Sequence, residues 1–99
     1  MIVEIADFSI DETRRDAFKD AIAQGVKTVL SKAKGYLGHQ ILACHETPGR
    51  FVLIVHWATL EDHTVGFRES ADFAQWRSII GPFFAKAPHV EHFVVTDAS

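Results

Sequence analysis

Residues 2–10, IVEIADFSI, alternate and are rich in Ile and Val, the period-two signature of a strand. The period then changes. From 12 to 34, Phe18, Ile22, Val26, Val29, Leu30 and Ala33 recur at helical spacing, while Arg15, Asp16, Lys19, Asp20, Lys27 and Lys34 fall on the opposite side. Asp11 offers an N-cap and Gly35 a stop. Gly25 lies inside this helix, where glycine costs about 1 kcal/mol against alanine, so a close neighbour is expected there.

Two further strands are predicted at 36–46, YLGHQILACHE, and 50–57, RFVLIVHW. ETPGR joins them with Pro48 and Gly49 at its centre, which makes an antiparallel hairpin. Thr59 can cap a short helix over about 60–68, with Asp62 three residues on as a capping-box partner. Ser70 can start another over 71–80, carrying Phe73, Trp76 and Ile80 on one side, before Gly81 and Pro82 disturb its end. HVEHFVV, 89–95, is a last strand. The order is β-α-β-β-α-β with the second helix broken. That predicts a ferredoxin-like α+β fold, one domain over 1–99, with a four-stranded antiparallel sheet and its helices on one face.

The sheet is oily on both sides. In the third strand Phe51, Leu53, Val55 and Trp57 point one way, and Val52, Ile54 and His56 the other. The last strand sets Phe93 and Val95 against Val90 and Val94. Two helical segments cover one face, so the other is expected to stack on a second copy as a two-fold homodimer.

Composition narrows the classes. The chain has 99 residues, 47% hydrophobic and 23% charged, which fits one globular domain. A net charge of −3 with scattered Lys and Arg argues against nucleic acid, and no polybasic amphipathic helix argues for a membrane. No stretch approaches the ~20 apolar residues of a membrane span. Glu4 and Asp7 interrupt the N-terminal apolar run, which does not read as a signal peptide. Cys44, the single cysteine, excludes an intramolecular disulfide, and a cytoplasmic location follows by default. Six histidines invite a metal, but their spacing does not fit one: His89 and His92 point to opposite faces, and His39 and His45 are roughly 20 Å apart at ~3.3 Å per residue. No metal is expected.

Taken together, the opening strand, the long helix, KGYLGHQILACHETPGRFVLIVHWATLEDH and FRESADFAQWRSIIGPFF…PHVEHF resemble the antibiotic biosynthesis monooxygenase domain family. The resemblance covers nearly the whole chain. It implies a dimeric α+β barrel with a pocket in each subunit between sheet and helices. It also implies oxidation of a phenol, quinol or anthrone-like aromatic by O2, without metal or flavin. The chemistry asks the protein to bind a flat apolar ring, remove a proton, stabilise the anion and exclude water.

The family's anthrone-oxidising branch has a tryptophan at a strand end, a polar residue six positions on and a downstream arginine. Trp57, His63 and Arg77 match those positions, with His63 where the branch has tyrosine and Leu53 where it has asparagine. His63 lies one turn before Phe67 and so points inward, and an ordinary imidazole could take a phenolic proton near neutrality. It is the candidate base, Arg77 the candidate oxyanion partner, and Trp57, Phe67, Phe73 and Trp76 the candidate pocket walls, joined by Phe83 and Phe84. For each of these the plainer alternative is core packing or, for Arg77, a solvated helix face. A haem-degrading branch would place its axial histidine near Gln75 or Trp76 and its tryptophan near Gly66, and neither is present. A non-catalytic dimeric module that binds a small aromatic molecule is the competing reading, and an isomerase on the same scaffold a third.

Overall fold

The computed structural model describes all 99 residues. Four strands form one antiparallel sheet: β1 Ile2–Ser9, β2 Tyr36–Ala43, β3 Arg50–Trp57 and β4 His89–Phe93, in the order β2-β3-β1-β4. Helices α1 Arg15–Thr28 and α2 Ala71–Ile80 cover one face, with a π-helix, Asp62–Phe67, leading into α2. The fold is the ferredoxin-like α+β arrangement that the element order predicts.

Alternation decides which side chain meets the helices. Glu4, Ala6, Phe8 and Ile10 of the first strand region are buried, and so are Phe51, Leu53, Val55 and Trp57 of β3. They pack against Phe18, Ile22 and Val26 of α1, which are buried at the helical spacing seen in the sequence. Trp76 of α2 closes over Gly25, where an added Cβ would lie 3.0 Å from its ring. This is the close neighbour that the glycine required.

Three segments end earlier than their periodicity suggested. The long helix stops at Thr28 and a 3-10 turn, Leu30–Lys32, follows, although a helix over 12–34 was expected. Thr28 and Ser31 hydroxyls donate to the carbonyls of Gln24 and Lys27, competing with the backbone ladder, and the tighter turn carries the chain towards β2. Gly35 then adopts φ 85°, a left-handed conformation that glycine accepts without strain. β2 ends at Ala43 and β4 at Phe93, leaving Val94 and Val95 exposed beyond the last paired position, Val3 opposite Phe93.

The segment after β3 is the departure that matters for function. A plain helix was expected over about 60–68. Thr59 Oγ1 caps it as expected, accepting from the Asp62 N–H, but the turn then widens and the Arg68 N–H donates to the His63 carbonyl five residues back at 3.0 Å. Such π turns concentrate at functional sites, because the extra residue re-aims the side chains around it. Here both His63 and Phe67 turn inward and are buried.

Candidate functional site

Between the helix-facing side of the sheet and the helical layer lies a cavity of about 510 Å3, within the range of small-molecule sites. Its floor is Glu4, Ala6, Phe8 and Leu53 from the sheet. His63, Phe67, Phe73, Trp76 and Ile80 wall it on the helical side. Arg68, Arg77, Phe84 and His89 also line it, and both arginines are exposed to solvent.

Glu4 is the polar centre of this apolar chamber. It is 6% exposed. Its Oε1 accepts from Trp57 Nε1 at 2.9 Å and lies 3.3 Å from His63 Nε2. The other ring nitrogen of His63, Nδ1, shares a 2.8 Å hydrogen bond with Nε2 of half-buried His92, which stands directly opposite Glu4 across the β1–β4 pairing. The imidazole rests flat on the Trp57 indole, and Phe67 completes an aromatic cluster, 6.0 Å from Trp57 and 6.4 Å from His63 between ring centroids.

Burial sets the protonation of these groups. It raises the Glu4 carboxyl above the usual carboxylate value, against the opposing pull of the Trp57 N–H and the Arg68 charge. Burial also pushes His63 down to about 4, helped by the positive charge of Arg68 and by His92. His92 is lowered for the same two reasons, burial first and then Arg68. His63 is therefore neutral near pH 7, so its 3.3 Å approach to Glu4 is a polar contact and not an ion pair. Glu4, His63 and His92 do not converge on a point. His63 stands between the other two and shows each a different nitrogen, and no group of three potential ligands is placed to hold a metal ion.

The residues singled out in the sequence gather here, with two exceptions, Trp57 and Phe83. His63, Phe67, Phe73, Trp76, Arg77 and Phe84 all line the cavity. The Arg77 guanidinium lies 5.9 Å from the Phe73 ring centroid and 5.8 Å from that of Phe84. Trp57, expected as a pocket wall, is fully buried beneath His63 and does not reach the chamber, because its indole is the surface on which the imidazole lies. Phe83 turns away to pack on Phe18, with Arg14 over its ring. Glu4 and Arg68 were not anticipated. The signal for Glu4 was present: it is the one charged residue among the inward positions 2, 4, 6, 8 and 10 of the first strand. Arg68 carried none, because its position depends on the widened turn.

A family model described as antibiotic biosynthesis monooxygenase matches residues 1–78. The chain belongs to that family. Protein YczJ of Bacillus subtilis (strain 168) is 39% identical over 93 residues, 94% of this chain and 97% of its own length. A Bordetella bronchiseptica crystal structure assigned to the antibiotic biosynthesis monooxygenases superposes with a TM-score of 0.90 at 36% identity, covering 96% of each chain. SnoaB, a cofactor-independent oxygenase from Streptomyces nogalater, solved as a point mutant, has the same fold at 11% identity, with a TM-score of 0.82 over 98% of this chain and 94% of its own. No helix of this family member is long and apolar enough to cross a membrane.

Proposed function

We propose that this chain is a cofactor-independent monooxygenase that oxidises a small phenolic, quinol or anthrone-like aromatic with O2. The observation that carries the reading is a buried carboxyl, Glu4, opening into an aromatic-walled chamber with one oxygen engaged by Trp57 and His63 and the other, Oε2, without a protein partner. Family membership and the cofactor-independent SnoaB add support.

In this reading a flat substrate slides between Phe67, Phe73 and Trp76, and Glu4 Oε2 takes its acidic proton. A base raised above the usual carboxylate range suits that task better than an ordinary surface carboxylate. Both His63 nitrogens are engaged, so His63 acts through Glu4: it orients the carboxyl and shares its proton, with His92 behind it. Arg77 at the rim stabilises the oxyanion. The electron-rich anion passes one electron to O2, the two radicals combine to a substrate peroxide, and the O–O bond breaks as Glu4 returns its proton. For a methylene carbon the balance is CH2 + O2 → C=O + H2O, so no external reductant is needed. The polar group that the resemblance places at position 53, where leucine stands, is supplied here from the neighbouring strand by Glu4.

The same reading includes a homodimer. The face away from the helices carries Val3, Ile5, Leu42, Val52, Ile54 and Phe93, and Leu42 and Phe93 are 46% exposed in the single chain. His56 Nδ1 on this face is buried without a hydrogen-bond partner, a group that a second sheet could satisfy.

An oxygen electrode tests the activity. Wild type with a panel of anthrones and hydroquinones should consume O2 above the spontaneous rate, and His63→Ala and Glu4→Gln should fall towards it. Binding of the panel without O2 uptake by wild type would instead leave a non-catalytic aromatic-binding module.

A further inference from the structure

The charge of the chamber runs against the charge of the chain. The protein carries −3, yet the groups lining the cavity include two guanidiniums, Arg68 and Arg77, and a single carboxyl, Glu4. Neither arginine is in an ion pair: the arginine–carboxylate pairs of the structure belong to Arg15 and Arg50, and the other carboxylate contacts are those of His63 and His89. Neither guanidinium donates a hydrogen bond to any protein group, whereas Arg50 makes a two-pronged contact with Asp7 on the same sheet at 2.7 and 3.1 Å. Glu4 is the one carboxyl in the chamber, and although the Arg68 charge acts on it, it lies outside bonding distance of both guanidiniums.

Their settings differ. Arg77 lies between two phenyl rings at the rim, and the proposed mechanism already assigns it to a transient oxyanion. Arg68 is fixed by the backbone of the catalytic turn itself, its N–H bonded to the His63 carbonyl, and its positive charge reaches Glu4, His63 and His92. One phenolate needs one cation. A second guanidinium that makes no hydrogen bond or ion pair within the chain, directly after the turn that carries His63, is free to meet a charge that the ligand brings with it.

We propose that Arg68 reads a permanent anionic group, a carboxylate or a phosphate ester, on the rim of the aromatic ligand, so that the physiological substrate is an aromatic acid and not a neutral ring. This rests on the small-aromatic reading of the cavity, and not on turnover. The planar fork of arginine matches either anion with two parallel hydrogen bonds, and a chamber with low-dielectric walls strengthens the attraction.

Binding measured by calorimetry on the full chain tests it with matched probes: 3-hydroxy-2-naphthoate against its methyl ester, and 2-naphthyl phosphate against 2-naphthol. Each pair shares the ring and differs in the anion. The acid of at least one pair should bind wild type ten-fold or more tighter than its neutral mate, and the pair that shows the preference distinguishes carboxylate from phosphate. The preference should weaken with added salt and vanish in Arg68→Gln, while Arg77→Gln keeps most of it. Equal affinity within both pairs, including no binding by any of the four, overturns the proposal. So does a preference that survives Arg68→Gln with circular dichroism unchanged. Failure of the oxygenase reading looks different: acid preference intact, with no O2 uptake on any phenolic acid.

Discussion

Trp57 and His63 lie ring on ring, 5.1 Å between centroids and 15° between planes, and a nitrogen of each addresses the same Oε1 of Glu4. One ring is fixed by the end of β3 and the other by the widened turn that follows it. Two stiff aromatic side chains thus hold a buried carboxyl in one orientation, as a catalytic group needs when its reach is a single hydrogen bond.

Glu4→Gln separates that chemistry from architecture. The amide keeps the volume and can still accept from Trp57, but it is no base. O2 uptake should fall about 100-fold or more, the usual contribution of general acid–base catalysis. The far-ultraviolet circular dichroism and the midpoint of urea unfolding should stay close to wild type. A variant with undiminished turnover would remove Glu4 from the mechanism.

Trp57→Phe preserves the stacking surface and deletes the donor. A buried carboxylate that loses a hydrogen bond costs about 1–3 kcal/mol, and a shortfall of this size should appear in urea unfolding at pH 7. The indole N–H favours the ionised carboxyl, so the deficit should shrink at pH 4, where Glu4 is protonated with or without it. A deficit that does not change with pH would trace to lost packing instead.

His63 should make stability fall in acid. Its folded value, about 4, lies below the ordinary 6.5, so between those two the unfolded chain binds a proton that the native protein does not. The contribution is fully present above pH 6.5 and is lost as pH falls towards 4. At about 1.4 kcal/mol per pH unit, the loss is on the order of 3 kcal/mol. Glu4 works in the opposite direction, because its raised value makes the native protein the tighter proton binder above the usual carboxylate range. Comparing wild type with His63→Gln between pH 7 and pH 4.5 isolates the histidine, and the variant should lose markedly less stability over that interval. Parallel curves would show that the ring is not the group being protonated.

Gly25 is where α1 and α2 meet most closely. A Cβ at this position would come within 3.0 to 3.2 Å of two Trp76 ring atoms and 3.4 Å of Ile79, so any added bulk pushes the indole into the cavity it walls. Gly25→Val should lower stability by about 1–3 kcal/mol, as overpacked positions do, and weaken aromatic binding at the same time. Loss of stability with ligand affinity unchanged would show that Trp76 yields away from the chamber.

The sheet and the inward faces of its strands could be read from alternation, because a period of two leaves each side chain only two places to go. Helical spacing put His63, Phe67, Phe73 and Trp76 on inward sides, and the family resemblance singled out Arg77; all five line the cavity. Periodicity failed where position depends on a departure from regular geometry. Arg68 reaches the chamber because the turn before it is a π-helix, and no residue in DHTVGF announces that. Trp57 was placed on the correct face, but the sequence could not say that another ring would lie between it and the chamber. Glu4 was the opposite case: its inward position followed from the alternation, but an acidic residue at the edge of an apolar run reads first as an interruption.

The open face of the sheet gives the remaining prediction. Ile54 pairs with Ile5 on one side and Gln40 on the other, and Val52 and Val3 flank it on the same face. A second copy laid sheet to sheet would bury this patch as the inner layer of a barrel, with the helices outside. Wild type should therefore sediment at twice its 11.1 kDa mass at micromolar concentration. Ile54→Glu places a carboxylate at the centre of that contact on each protomer, where burying unpaired charge costs several kcal/mol, enough to raise the dissociation constant by about a hundred-fold or more. The variant should run as an 11.1 kDa monomer, with bound dye reporting the uncovered apolar surface. Its helix-facing core is untouched, so circular dichroism should remain that of the wild type. A wild-type protein that already runs as a folded monomer would leave both the apolar face and the unpartnered His56 nitrogen to some other covering.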